Sequence, residues 1–181
     1  MHILQATSEF YPYSKTGGLA DMVAGLSGEL TRQGHEITVV TPLYKNTRLL
    51  LGDSLGTGHS FEISLGNANV TGRFIPFQTE SGIKIYFVEH VGFFDRDGIY
   101  MENGEGYPDN PDRFIFFSKA VCQLTELLAT KPDILHCHDW QTAFVPLLNE
   151  GRIPTCLTIH NLAYQGKCGL SKFQLTNLPG K

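Results

Sequence analysis

Apolar and polar positions along the chain switch between two periods, and the switching predicts alternating strands and helices. Ile3, Leu4 and Ala6 mark His2–Ala6 as a strand. From Leu19 onward, Leu19, Met22, Val23, Leu26 and Leu30 recur at helical spacing, which predicts an amphipathic helix over Leu19–Gln33 closed by Gly34. Glu36–Thr41 reads as a second strand ended by Pro42. Ser60–Leu65, Val70–Phe77 and Ile83–Glu89 follow as three short strands, separated by the turn residues Asn67-Ala68-Asn69 and Glu80-Ser81-Gly82. This middle portion reads as a β-meander inserted into an α/β frame.

The stretch from Val91 to Asn110 is polar and rich in Gly and Asp, with Tyr100 and Tyr107 inside it. At about 20 residues it exceeds an ordinary structureless connection, which favours a functional loop or lid. A helix start follows: Asn110 suits a cap, Pro111 the first helical position and Asp112 the helix dipole. Phe114, Phe117, Val121, Leu124 and Leu128 then predict the buried stripe of a helix reaching Ala129. Asp133–Cys137 reads as a strand, Asp139–Asn149 as a helix and Thr155–Ile159 as a last strand. Beyond it the chain turns irregular through His160–Gly166, and Leu178–Lys181 carries no closing element. Alternating strands and helices imply an α/β fold with a mostly parallel, doubly wound sheet.

Composition narrows the partners. The 181 residues carry 41% hydrophobic and 18% charged side chains with a formal net charge of −4, ordinary for a globular chain. No dense basic run is present, which argues against nucleic acid and anionic membranes. No run approaches the roughly 20 apolar residues of a membrane span, and His2 onward reads as a strand rather than a leader peptide. Cys122, Cys137, Cys156 and Cys168 form no C-x-x-C pair and are expected to be buried free thiols in a reducing cytosol. Cys137 stands between His136 and His138, but neighbours along a strand point to opposite faces, so this triplet does not converge on one metal.

Candidate chemistry gathers at strand ends. Lys15-Thr16-Gly17-Gly18-Leu19-Ala20-Asp21 occupies the turn between the first strand and the first helix. Two glycines there allow close approach to the backbone, the first helical N–H groups carry partial positive charge, and a lysine adds a full one. That combination suits a phosphate group. It is neither a Walker A loop nor the G-x-G-x-x-G dinucleotide fingerprint. Purely structural turn glycines and an exposed loop lysine are the bland alternative. His138-Asp139-Trp140 and His160-Asn161 fall at two further strand ends. In doubly wound sheets, ligands bind outside the carboxyl ends of the strands.

Taken together, Ser8-Glu9, Lys15–Asp21, His136-Cys137-His138-Asp139-Trp140-Gln141 and Thr158–Gly166 resemble the N-terminal part of bacterial glycogen synthases and plant starch synthases, in the same order and spacing. The resemblance spans nearly the whole chain but less than half of a complete family member. It implies a Rossmann-like domain, one of two in the GT-B arrangement, with residues 1–181 forming the N-terminal one and ending before it is complete. It also implies a retaining glycosyltransferase that moves glucose from ADP-glucose to the non-reducing end of an α-1,4-glucan, using no metal and no cofactor, in the cytoplasm or, in plants, a plastid. The family's acidic segment and further phosphate contacts lie in the second domain, so this chain alone is expected to be inactive.

The resemblance assigns Lys15, with Thr16, Gly17, Gly18 and Asn161, to the donor. Asp139 and His160 are carried over as the catalytic pair, the carboxylate near the reacting sugar and the imidazole against the donor sugar. Glu9, Tyr107, Asp109 and Trp140 are weaker candidates for acceptor or sugar contacts. From the residues alone, Asp139 also suits a helix cap, His138 and His160 structural hydrogen bonding, Trp140 packing, and Tyr107 and Asp109 a solvated loop. A stand-alone, non-catalytic glucan- or nucleotide-binding module is the rival reading. A nicotinamide-dependent enzyme is disfavoured by the missing glycine fingerprint.

Overall fold

The computed structural model describes residues 1–179. Its main sheet has seven strands: β1 (His2–Ala6), β2 (Glu36–Pro42), β3 (His59–Leu65), β4 (Ala68–Gln78), β5 (Lys84–Glu89), β8 (Ile134–His138) and β9 (Thr155–Thr158). A two-stranded ribbon, β6 (Met101–Glu102) with β7 (Glu105–Gly106), stands apart from it. The strand order is β3-β4-β5-β2-β1-β8-β9. β5, β2, β1, β8 and β9 run parallel, and β4 and β3 close one edge as an antiparallel meander. The inserted meander is therefore an extension of the same sheet.

Two apolar layers cover the two faces, as the doubly wound expectation requires. Every residue of β1 is buried, and its side chains alternate between the layers. Ile3 joins Ile37, Val39, Ile85 and Phe87 under α1 (Gly18–Arg32) and its buried Val23. Leu4 and Ala6 join Val40, Val88, Leu135 and Cys137 under α4 (Asn110–Leu127). α4 buries more than one stripe, because Phe114, Ile115, Phe116 and Phe117 are all enclosed. Phe116 lies within aromatic contact of Phe61, His90, Phe93 and Phe94.

Several expectations need correction. α2 (Lys45–Leu51) gives no periodic signal because only Thr47 is buried while Leu49 and Leu50 face solvent. The helix expected over Asp139–Asn149 breaks into a 3₁₀ turn, Trp140–Thr142, and a single α turn, α5 (Val145–Leu148). Pro146 lacks the N–H that a continuous helix would use. The long polar segment is not structureless: it holds α3 (Val91–Phe94) and the β6–β7 ribbon. A 3₁₀ helix at Leu170–Thr176 also follows the irregular stretch. Of the four free thiols, Cys137 is buried and Cys122 half-buried; Cys156 is exposed because β9 is an edge strand that no layer covers, and Cys168 is exposed in the irregular stretch before Leu170. The expected lack of a closing element at Leu178–Lys181 falls partly on Gly180 and Lys181, outside the described residues. No helix among the described residues is long and apolar enough to cross a membrane.

Phe116 is 0% exposed at the centre of the aromatic layer. Phe116→Ala should lower unfolding stability by about 3–5 kcal/mol, read as a shift of the urea midpoint at constant slope. A loss under about 1 kcal/mol would mean that this layer repacks freely.

Candidate active site

The carboxyl ends of β1, β8 and β9 open onto one cleft of ≈ 720 Å³. Its walls include Glu9, Thr16, Gly17 and Gly18 from the turn after β1, Asp139 and Trp140 after β8, and His160 and Asn161 after β9. Parallel pairing puts these ends side by side, with Cys137 opposite Leu157 and His138 opposite Thr158. The turn after β1 thus meets, at one surface, two strand ends that lie more than a hundred residues further along the sequence.

Glu9 organises the turn. It is 3% exposed, and its carboxylate accepts hydrogen bonds from the Thr16 backbone N–H (2.6 Å), the Thr16 hydroxyl (2.7 Å) and the Gly17 N–H (3.4 Å). The Tyr100 hydroxyl donates a fourth, at 2.7 Å, and accepts from the Ser8 hydroxyl at 2.6 Å. Burial, with Tyr44 and Glu9 nearby, raises the Tyr100 phenol well above its ordinary range and keeps it a donor. The negative charge lies beside the N-terminal end of α1, where the helix dipole favours it.

Gly17 is extended (φ −150°), so no left-handed backbone demands glycine there. A Cβ on Gly17 or on Gly18 would meet nothing within 4 Å among the described residues beyond its own stretch of backbone. What the missing side chains keep clear is the cleft. Lys15 stands at the rim rather than in the wall. Its ammonium is held by Asp21 at 2.7 Å, and this bond raises its pKa. Both partners are about half exposed, 46% and 49%, so the pair is weak and screened.

Asp139 adopts φ 58°, ψ −174° and makes no cap bond to the following turn. Its Oδ1 instead accepts the backbone N–H of His160 at 2.7 Å, tying the β8 end to the β9 end. The His160 ring lies 3.1 Å from His138 Nδ1. His138 is fully buried, and its pKa is pushed down to about 3 by burial and by the neighbouring His136 and His160. Asn161 Oδ1 accepts from the Ala163 N–H, shaping the turn beyond.

Of the remaining candidates, Trp140 belongs to the cleft, and Tyr107 and Asp109 do not. Trp140 borders the main cleft and both smaller cavities beside it. Gly166 (φ +60°) packs against one indole face so closely that any Cβ would clash with it, and Phe114 meets the ring edge-on. Tyr107 and Asp109 are outside the main cleft wall. Asp109 is gripped by Arg96 through two bonds (2.8 and 2.6 Å), which lowers its pKa. The Tyr107 ring lies under the Arg96 and Arg113 guanidinium groups, and its hydroxyl accepts the Gly98 N–H at 3.2 Å. Asn110 does not cap; it bonds Tyr100 O and Arg113 instead.

Sequence reasoning missed Gln141, whose amide is 5% exposed on the cleft wall with Oε1 unpartnered, and the lining role of Ile99, Tyr100 and Met101. These three arrive from the long segment through Arg113, which donates to Phe93 O (2.7 Å) and Ile99 O (2.9 Å). No periodicity reports such a tether. Among the described residues, no group of three or more His, Cys, Asp or Glu side chains is arranged to hold a metal ion.

Comparison with known proteins matches this arrangement to one family. The family model described as the starch synthase catalytic domain matches residues 2–181. Glycogen synthase 2 of Geobacter sulfurreducens is 38% identical over 99% of this chain and 39% of its own length. Glycogen synthase 2 of Geobacter metallireducens is 41% identical over 92% of this chain and 36% of its own. The solved catalytic domain of starch synthase IV from Arabidopsis thaliana, bound to ADP and acarbose, superposes with a TM-score of 0.81 at 30% identity, over 98% of this chain and 37% of that one. The chain therefore spans less than two fifths of the length of these relatives. A parallel sheet whose first helix starts at a glycine turn, with Asp139 and His160 facing it, carries the motifs across their full spacing, and the chain belongs to the family of the starch synthase catalytic domain.

Proposed function

We propose that this chain forms the N-terminal, Rossmann-like domain of a retaining GT-B glycosyltransferase that moves glucose from ADP-glucose to the non-reducing end of an α-1,4-glucan. The observation that carries the reading is the single cleft shared by the glycine turn, Asp139 and His160. The Arabidopsis relative was solved with ADP and acarbose, a nucleotide and a saccharide analogue that together fit the same reading.

In this reading the donor diphosphate lies against the Thr16-Gly17-Gly18 turn, where Lys15 releases Asp21 and turns to the phosphates. As the sugar–phosphate bond breaks, the electron pair leaves with the diphosphate, stabilised by the lysine and the N-terminal dipole of α1, while the acceptor hydroxyl oxygen bonds the sugar carbon and its proton passes to the departing phosphate oxygen. Positive charge develops at the sugar carbon, and the Asp139 carboxylate lowers its energy more than that of the ground state. The glucan acceptor approaches past Trp140, where the main cleft meets the two smaller cavities. No metal or cofactor enters this scheme. The other cationic phosphate contacts and the acidic segment come from the second domain of the longer enzyme, so purified 1–181 should show no glucan elongation from ADP-glucose. Robust elongation would remove that division of labour.

In the longer enzyme, Gly17→Val should leave the melting temperature nearly unchanged, because its backbone is extended and its surroundings are open. KM for ADP-glucose should rise at least about tenfold as the side chain enters the phosphate space. A fold destabilised without change in donor KM would return the glycine to a structural role.

Lys15→Ala should weaken donor use about ten- to a hundredfold while leaving acceptor KM nearly constant. Equal losses for both substrates would remove Lys15 from the donor site.

Asp139→Asn tests the carboxylate's charge. Asparagine is nearly isosteric with aspartate and keeps an Oδ1 acceptor for the His160 N–H. Turnover should fall by about one to two orders of magnitude with donor KM nearly constant. A normal kcat in the folded variant would leave Asp139 a purely architectural part.

A further inference from the structure

Gln5, His138 and His160 form a hydrogen-bonded row from the sheet interior to the cleft wall. Gln5 on β1 and His138 at the end of β8 are both 0% exposed. They leave the sheet on the face opposite Leu4, Ala6, Leu135 and Cys137, which pack under α4. Gln5 Oε1 lies 2.6 Å from His138 Nε2, and His138 Nδ1 lies 3.1 Å from His160 Nε2. The His160 main chain is anchored separately, through its N–H to Asp139 Oδ1.

The hydrogens of this row can be counted. An amide oxygen only accepts, so His138 Nε2 carries a hydrogen. Burial and two neighbouring imidazoles keep His138 neutral, with its pKa pushed down to about 3. A neutral imidazole has one ring hydrogen, so His138 Nδ1 is an acceptor. His160 must then donate from Nε2, and in its neutral ring this leaves Nδ1 a bare acceptor without a partner among the described residues. His160 is one of the residues that line the cleft. The cluster is closed on its other side, where His136 bonds the Thr158 hydroxyl at 2.7 Å and takes no hydrogen from the row.

We infer that Gln5 and His138 are positioning residues that hold His160 as its Nε2–H tautomer and so present an unprotonated Nδ1 to a hydroxyl group of a sugar in the cleft. The tautomer follows from the row alone; the sugar rests on the function proposed above. Such an acceptor selects a ligand that offers a hydrogen, as a polyol does, and disfavours one that offers only a carbonyl or phosphate oxygen. Gln5 Nε2 has no partner among the described residues, so there the buried amide's one hydrogen-bonding use is as an acceptor.

The test is a long-range ¹H–¹⁵N correlation on the ¹⁵N-histidine-labelled protein at pH 8, above the ordinary imidazole pKa of about 6.5. His138 and His160 should both show a protonated Nε2 and an unprotonated Nδ1. Gln5→Met removes the acceptor at the start of the row, and His160 should then become a mixture of tautomers. In the longer enzyme the same variant should lower kcat/KM for ADP-glucose about three- to tenfold, the effect of one neutral hydrogen bond. If Gln5→Met does not fold, the unsubstituted spectrum still decides. A protonated His160 Nδ1 overturns the proposal, since it means the Gln5 amide is reversed. An unchanged His160 tautomer in folded Gln5→Met overturns it as well. The expected tautomer in an enzyme that transfers no sugar would sink the functional reading and leave the row standing, whereas unchanged kinetics in an active Gln5→Met enzyme would break the link between row and sugar.

Discussion

One buried carboxylate holds the cleft together. Glu9 is 3% exposed, and leaving a charge so enclosed without donors would be costly. Its two oxygens are satisfied by Thr16, Gly17 and Tyr100, which belong to two different segments. The bonds to Thr16 and Gly17 fix the turn that starts α1. The bond from Tyr100 draws the segment beyond β5 over the same cleft. A weaker acceptor at position 9 would loosen both walls together, because each wall's geometry is defined by the other's hydrogen bonds to one group.

A buried cation does the complementary work on the far side of that segment. Arg113, fully enclosed on α4, makes no ion pair among the described residues and is satisfied by Phe93 O, Ile99 O and Asn110, with aromatic faces of Phe94, Tyr107 and Phe114 around it. Burial lowers its pKa, but a guanidinium stays charged under any ordinary condition. Arg96 adds a second clasp by joining Gly92 O to Asp109. The long polar segment is therefore a pinned wall. Tyr107 and Asp109 serve that pinning, and Ile99, Tyr100 and Met101 are the part it delivers to the cleft.

The sheet supplies the remaining constraint. Parallel strands bring all their carboxyl ends to one side, so polar residues after β1, β8 and β9 converge without any long-range signal between them. The β9 end carries His160, yet β9 itself is an exposed edge strand. Asp139 bridges to it through the His160 N–H, which explains why its carboxylate is drawn across the cleft rather than onto its own helical turn.

The sequence by itself determined the strand–helix alternation, the glycine turn and the strand-end motifs, because periodicity and turn chemistry are local properties of the chain. It misread Asp139–Asn149, where Pro146 and a positive φ at Asp139 break a helix that the apolar pattern favours. It left α2 unseen because a helix that buries little more than Thr47 has no apolar stripe. It expected all four thiols to be buried, since the edge position that exposes Cys156 is a property of strand order, which no local pattern encodes. Only the tertiary structure decided that Glu9 is a tether, that Asp109 is spent on Arg96, that Gly166 covers Trp140, and that Gln5 reaches His160 through His138. Each of these depends on which residues meet across the sheet, and the chain's local chemistry is the same whether or not they do.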